Sequence, residues 1–378
     1  MKFIIAPDKY KGSLTGLEFC DAVEKGLKKI FKDADIIRIP LADGGDGTIE
    51  VVKYHLDTKT IKLTVNDPLF RPVEASYLYS ESTDTAFIEM AEASGLKLLT
   101  ESEKNCMYTS TLGTGELIAI ALAQGAKKII LGIGGSATND GGMGMAHALG
   151  FRFLDKNNKI LPPTGNSLIH LKRIDTTQVN PKLKNVSTKV LCDVTNPLYG
   201  KNGAAYIYAK QKGASAAQIE LLDQGLKNYA KVVSEDFKVN LQRITGAGAA
   251  GGMGAGTYVF LNGQLTRGID LIKETTNFDQ AIDKADWIIT GEGKLDDQTI
   301  TGKTIAGVLT SAKKKNISVA ALCGIVDLSE EKRKQLGLSY VASVSKDMPN
   351  MELAIKCAYT NVVKATVDFA SLLKNGKL

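Results

Sequence analysis

At both ends of the chain, short apolar runs close in polar turns, and each is followed by apolar residues at three- and four-residue steps. Residues 2–6 form one such run, ended by Pro7-Asp8, and read as a buried strand. Leu17, Cys20, Val23, Leu27 and Ile30 follow at helical spacing, and Thr15 with Glu18 three residues on predicts a capping box at the helix start. A second run over 35–41 enters Asp43-Gly44-Gly45-Asp46-Gly47-Thr48, after which Ile49, Val52 and Leu56 predict a second helix. Near the other end, runs over 287–290, 318–322 and 340–344 predict three more strands, with a last helix near 351–373. Strand and helix in alternation predict a parallel sheet covered by helices on its faces.

The middle of the chain has another pattern. Runs over 60–63 and 74–79 bracket Asn66-Asp67-Pro68 and Arg71-Pro72, turn residues that predict an antiparallel pair. Runs over 128–131, 189–194, 204–209 and 257–260 read as further strands, divided by two glycine-dense stretches at 132–150 and 246–256. The expected fold is α/β in two domains. Residues 1–59 and 281–378 build a Rossmann-like parallel-sheet domain, and 60–280 form an inserted mixed α/β domain with glycine-rich loops. A length of 378 residues supports two cores rather than one.

Composition narrows the function classes. The net charge of +6 is spread over scattered lysines, with no basic run, so a nucleic-acid partner is not expected. Aromatic residues make up 6% of the chain, too few for a base-stacking platform. No stretch has the length of a signal peptide core or a membrane span, so a cytoplasmic protein is expected. Five cysteines without a CxxC pair, and three histidines at no ligand spacing, argue against disulfides and structural zinc. Oligomeric state stays open between monomer and homodimer.

Several predicted strands end in loops that mix glycine with acids or lysines. Lys11 and Ser13 follow the first strand, Asp43, Gly44 and Gly45 the second, and Asp193 the run at 189–194. Asp296, Gln298 and Lys303 follow the run at 287–290. Gly134, Gly135, Ser136 and Asn139 lie in one glycine-dense loop, and Gly248, Gly251 and Gly252 in the other. Each feature alone is ordinary: an aspartate after a strand is commonly a turn residue, and glycines also serve close packing. Together they supply what phosphoryl transfer needs: cations and N–H groups for phosphates, carboxylates for a metal, and a group that takes a hydroxyl proton. Ligands of open α/β sheets bind at the carboxyl ends of the strands, where these loops fall.

Two other readings stand beside this one. Gly132-x-Gly134-x-x-Ala137 satisfies a dinucleotide fingerprint, with Asp155 at about the spacing of a ribose ligand, as in an NAD-dependent hydroxy-acid dehydrogenase. A non-catalytic nucleotide-sensing module is the other. Gly302-Lys303-Thr304 is not a Walker A motif, because the glycine required five positions earlier is Asp297.

The strings Ile5-Ala6-Pro7-Asp8-Lys9-Tyr10-Lys11-Gly12-Ser13-Leu14 and Pro40-Leu41-Ala42-Asp43-Gly44-Gly45-Asp46-Gly47-Thr48 resemble the bacterial glycerate kinase family. So do residues 132–142, Cys192-Asp193-Val194-Thr195-Asn196-Pro197-Leu198, residues 246–256 and Gly291-Glu292-Gly293-Lys294-Leu295-Asp296-Asp297-Gln298-Thr299. The family more often has Ser-Phe where this chain has Lys9-Tyr10. The resemblance implies Mg²⁺-dependent transfer of the γ-phosphoryl of ATP to D-glycerate, giving 2-phosphoglycerate or 3-phosphoglycerate, with the active site in the interdomain cleft. On that basis Lys11 and Lys303 are expected to neutralise charge, and Asp193 to accept or orient the hydroxyl proton. Asp43 or Asp296 is expected to hold Mg²⁺, and the turns at 134–136 and 246–252 to offer N–H donors to phosphates.

Overall fold

The computed structural model describes residues 1–10, 12–43, 48–300, 304–346 and 348–378. Contacts divide the chain into two compact units, Met1–His55 with Arg267–Leu378, and Leu56–Thr266. The fold is α/β, with one sheet built from both chain ends and another from the middle.

In the first unit five strands pair in the order Tyr340–Ser343, Ser318–Cys323, Trp287–Thr290, Lys2–Ile5, Asp35–Arg38, all parallel. Phe3 and Ile5 point to one face and Ile4 to the other, all fully buried, as a strand covered on both sides requires. On one face Gly16–Ile30 lies against Ala358–Lys374, where a Cβ at Gly26 would meet Thr366 Cβ at 2.6 Å. Trp287 and Phe369 stack edge to face there, 5.1 Å apart. Helices Gly268–Thr275 and Thr304–Lys314 pack together, with Ile269 against Gly307. The expected capping box forms: Thr15 Oγ1 accepts from the Glu18 N–H at 3.1 Å, and Glu18 Oε2 accepts from the Thr15 N–H at 2.8 Å.

The second unit carries a six-stranded sheet in the order Gln264–Thr266, Ser187–Leu191, Lys128–Gly132, Thr85–Glu89, Pro72–Ser80, Lys59–Asn66. The first four strands are parallel and the last two antiparallel, with Leu63 opposite Ala75 as the expected hairpin requires. Ala216–Phe237, the longest described helix, buries Leu222, Leu226, Tyr229 and Val233.

Two expected strands are helical instead. Residues 204–208 form the helix Ala204–Tyr208, where the Ile207 N–H donates to the Gly203 carbonyl at 3.1 Å. Residues 257–260 form the last turn of Ala249–Leu261, where the Thr257 hydroxyl donates back to the Gly254 carbonyl at 2.9 Å. An apolar run of four or five residues fits either structure, and local packing decides between them. The single helix expected over 351–373 is divided at Cys357 into Met351–Lys356 and Ala358–Lys374.

Candidate functional site

In the first unit the chain leaves Lys2–Ile5 toward Asp35–Arg38 on one side, while Trp287–Thr290 leads to Ser318–Cys323 on the other. Between these two central strands the order reverses, and the loops leaving their carboxyl ends separate, which is where open α/β sheets bind ligands. A cavity of about 590 Å³ opens there, lined among others by Asp8, Tyr10, Ser13, Asp43, Glu292 and Asp296.

Asp8 leaves the end of the first strand, anchored by its own N–H to the Gly291 carbonyl at 2.9 Å. Its Oδ1 accepts from the Lys9 N–H at 2.7 Å, and its Oδ2 accepts from the Thr304 hydroxyl. Burial, and then the charge of Asp43, push the Asp8 carboxyl up to about 6, against the Thr304 and Lys9 hydrogen bonds that hold it down. Tyr10 is buried, its hydroxyl donating to the Leu322 carbonyl, and burial pushes its phenol well up. Glu292 is buried, with Oε1 accepting from the Thr299 hydroxyl at 2.6 Å. Asp296 accepts from the Thr299 N–H through its carbonyl and lies 3.5 Å from Lys294 Nζ through Oδ2. Ser13 donates its hydroxyl to the Ile355 carbonyl at 3.3 Å.

The cavity thus gathers three of the expected residues, Ser13, Asp43 and Asp296. It also holds Asp8, Tyr10 and Glu292, which the sequence reading did not name as site residues. Lys11, Gly44, Gly45 and Lys303 lie outside the described residues. Gln298 falls in the helical turn Asp297–Ile300, and its side chain is likewise outside the described part.

In the second unit the loop after Lys128–Gly132 runs out at the carboxyl edge of the sheet. Gly134 and Gly135 are exposed, and Gly135 has a φ of 71°, a backbone that favours glycine. The Leu96 N–H donates to the Gly135 carbonyl at 2.8 Å and the Ala137 N–H to the Ser94 carbonyl at 2.9 Å, pinning the turn from one side. Among the described residues no acceptor takes the N–H groups of Gly134, Gly135 and Ser136. An open run of N–H donors at a strand end is an anion-binding arrangement.

Behind this turn the loop is buried and polar. Lys212 Nζ donates to Ser136 Oγ and to the Thr138 carbonyl, each at 2.7 Å. Asp140 is fully buried and accepts from the Thr111 N–H and hydroxyl and from the Gly142 and Gly144 N–H groups. Burial pushes its carboxyl up, and those donors oppose the rise. Asn139 is also fully buried, with neither amide atom partnered among the described residues, so it does not face the open side of the turn.

The second glycine-dense stretch is closed rather than open. A Cβ at Gly251 would lie 2.0 Å from the Thr138 carbonyl oxygen, one at Gly252 2.9 Å from Gly141 Cα, and one at Gly248 2.1 Å from the Pro197 carbonyl oxygen. These glycines let backbone meet backbone beneath the first loop. Asp193 follows Ser187–Leu191, the strand paired in parallel with Lys128–Gly132, so it leaves the same edge as Gly134, and it is exposed.

The dinucleotide fingerprint does not hold. The loop after Gly132 continues to Gly142 before the six-residue helix Met143–Ala148 begins. Asp155 sits in the turn that follows Arg152–Leu154 and brings Ile160 back beside Leu154, accepting from the Asn157 and Lys159 N–H groups. It is not at the end of a neighbouring parallel strand, where a ribose ligand stands.

A family model for the glycerate kinase family matches residues 3–374. The chain is similar to a glycerate kinase of Bacillus cereus, 42% identical over 99% of this chain and 98% of the relative. It is similar to a glycerate 2-kinase of Escherichia coli K12, 43% identical over 100% of this chain and 99% of the relative. A crystal structure from Salmonella typhimurium LT2 assigned to glycerate kinase 2 superposes with a TM-score of 0.90 at 42% identity, covering 100% of this chain and 99% of that one. Likeness of this extent leaves no part of either unit outside the match: the chain belongs to the glycerate kinase family.

Proposed function

We propose that this protein transfers the γ-phosphoryl group of ATP to the 2-hydroxyl of D-glycerate, giving 2-phosphoglycerate and ADP. The observation that carries the reading is the end-to-end match, at 43% identity, with a relative named glycerate 2-kinase. The chemistry of the two units supports it. Transfer of a phosphoryl group is catalysed mainly by positioning and by neutralising charge on the phosphate oxygens. The N–H groups of Gly134, Gly135 and Ser136 suit an oxyanion, and Lys11 and Lys303 are assigned to the charge of the phosphoryl group or the glycerate carboxylate. Gly248, Gly251 and Gly252 contribute by packing under the loop at 138–141, not as donors. Ser13, Gly44, Gly45 and Gln298 are assigned to substrate or phosphate binding.

Mg²⁺ binds through one or two carboxylates together with waters and phosphate oxygens, and does not need an all-protein cage. Asp43 and Asp296 line the same cavity, and among the described residues no cluster of three or more ligands forms a cage. This donor set fits Mg²⁺, which when bound offsets negative charge on the nucleotide phosphates. Asp193 is assigned to the substrate hydroxyl, whose proton it accepts or whose direction it fixes. Among the described residues no helix is long and apolar enough to cross a membrane.

The test is a coupled ADP-release assay with D-glycerate and MgATP, with the product read by ³¹P and ¹³C NMR. The expected result is turnover to 2-phosphoglycerate. Formation of 3-phosphoglycerate overturns the regiochemistry, and ADP release independent of glycerate overturns the acceptor.

A further inference from the structure

Lys212 has no part in the roles given above, yet its ammonium group lies directly behind the glycine turn of the second unit. Its side chain is 2% exposed, and its Nζ holds Ser136 Oγ and the Thr138 carbonyl at 2.7 Å each. Its partners at hydrogen-bond distance are these two neutral oxygens, and the charge of the buried Asp140 reaches it only from farther off. A buried ammonium without a carboxylate partner is costly, so a fold that keeps one needs something that offsets its charge. On the outer side of the same turn, Gly134 and Gly135 are exposed and the N–H groups of Gly134, Gly135 and Ser136 meet no acceptor among the described residues. A fixed positive charge therefore backs an open row of donors.

We propose that Lys212 is a positioning residue, whose buried ammonium fixes the Ser136 turn and charges it for an oxyanion of a substrate. The oxyanion is either a phosphate of ATP or the carboxylate of glycerate. The proposal rests on the reading of this turn as a substrate site. Lys212 meets two neutral oxygens at hydrogen-bond distance while the buried Asp140 acts on it from farther off, and a substrate oxyanion adds opposite charge on the open side of the turn.

Burial also pushes the Lys212 ammonium down to about 8, with the neighbouring Cys106 and Asp140 opposing that fall. Cys106 is itself pushed up to about 11 by burial, and burial raises the Asp140 carboxyl against the donors from Thr111, Gly142 and Gly144 that hold it down. The turn should hence lose its positive backing between pH 7 and pH 9.

The experiment is steady-state kinetics of the full-length enzyme at pH 7, 8 and 9, with ATP and D-glycerate varied in turn, on wild type, K212M, K212R, S136A and G134E. Thermal melts accompany each variant. K212M is expected to raise the KM of one anionic substrate by about 10- to 100-fold at pH 7, the weight of a charge-assisted interaction, with kcat changed much less. In wild type the same KM should climb several-fold from pH 7 to 9, and in K212R, whose charge persists, it should stay flat. A rise confined to ATP identifies the phosphate, and one confined to glycerate the carboxylate. A folded K212M with both KM values unchanged overturns the proposal. Should K212M fail to fold, a wild-type KM that is flat from pH 7 to 9 overturns it, and a rise shared by S136A at pH 7 supports it. G134E separates the two layers of the argument, because a side chain at Gly134 meets nothing within 4 Å and its charge would repel an anion. If G134E leaves both KM values alone, the turn is not a substrate site. If G134E raises one and K212M does not, only the role of Lys212 fails.

Discussion

Thr111 donates twice to one oxygen of Asp140, from its N–H at 2.9 Å and from its hydroxyl at 2.8 Å. The same hydroxyl oxygen accepts from the Met145 N–H at 2.8 Å, and Asp140 also takes the Gly142 and Gly144 N–H groups. Two buried side chains thus tie the start of Leu112–Ala123 to Met143–Ala148 and fix the loop that presents Gly134.

Removing the carboxylate leaves four buried donors without an acceptor. D140A is expected to destabilise the second unit by about 3–5 kcal/mol, and T111V, which removes one hydroxyl, by about 1–3 kcal/mol. Urea titration followed by far-UV circular dichroism measures both. Fluorescence is unsuited, because the single tryptophan, Trp287, belongs to the first unit. Equal losses in the two variants would mean that Asp140 does not organise the loop.

The two glycine stretches predict opposite tolerance. Gly251 has a φ of 71° and a Thr138 carbonyl oxygen 2.0 Å from where its Cβ would stand, while Gly134 has open space. G251A should cost about 3 kcal/mol or more through combined strain and clash, and G134A less than about 1 kcal/mol. Melting temperatures decide it, and a well-folded G251A at wild-type stability would show that the loop below it can shift.

The contrast also marks where the sequence was legible. Thr15 with Glu18, and the facing runs that place Leu63 opposite Ala75, are signals carried within a few tens of residues, and the folded chain uses them as read. The glycine motifs were visible too, but composition does not say whether a glycine faces a ligand or another backbone. Asp8 is not legible as a site residue because what surrounds its carboxyl, the Thr304 hydroxyl and the charge of Asp43, comes from residues distant in sequence. Lys212 reads as a surface lysine in Lys210-Gln211-Lys212. It is buried because Gly213, at a φ of 87°, sets the backbone against the Lys104 carbonyl, where a Cβ would stand at 1.9 Å.

Asp8 should make the metal-free protein pH-dependent. Its carboxyl is raised from 3.8 to about 6, so between those values the folded state holds a proton that the unfolded state has released. Stability contributed through Asp8 is therefore present at low pH, falls as pH rises from about 4 to about 6, and levels off above. The span corresponds to about 3 kcal/mol at most. D8N, which cannot ionise, should lack this fall and gain stability relative to wild type as pH rises to 7. Urea titrations in chelator at pH 4, 5, 6 and 7 measure it, and parallel profiles for the two proteins would show that Asp8 titrates as an ordinary carboxylate.

Asp193 gives the most direct test of the catalytic assignment. It is exposed, so replacing it removes no packing, and it leaves the same edge of the sheet as Gly134 because Leu191 pairs with Gly132. A carboxylate that takes the hydroxyl proton contributes ~10²–10⁴-fold to rate, whereas a turn residue at a strand end contributes nothing to rate and under about 1 kcal/mol to stability. D193N keeps the shape and most of the hydrogen bonding but has little basicity. The expected outcome is an unchanged melting temperature, KM values within a few-fold of wild type and a kcat lower by ~10²-fold or more. Partial recovery in D193E would follow from a base restored at a slightly wrong distance. A D193N enzyme with near-native kcat would remove Asp193 from the chemistry and make Asp8, a strand-end carboxylate that accepts from the Lys9 N–H and the Thr304 hydroxyl, the next residue to replace.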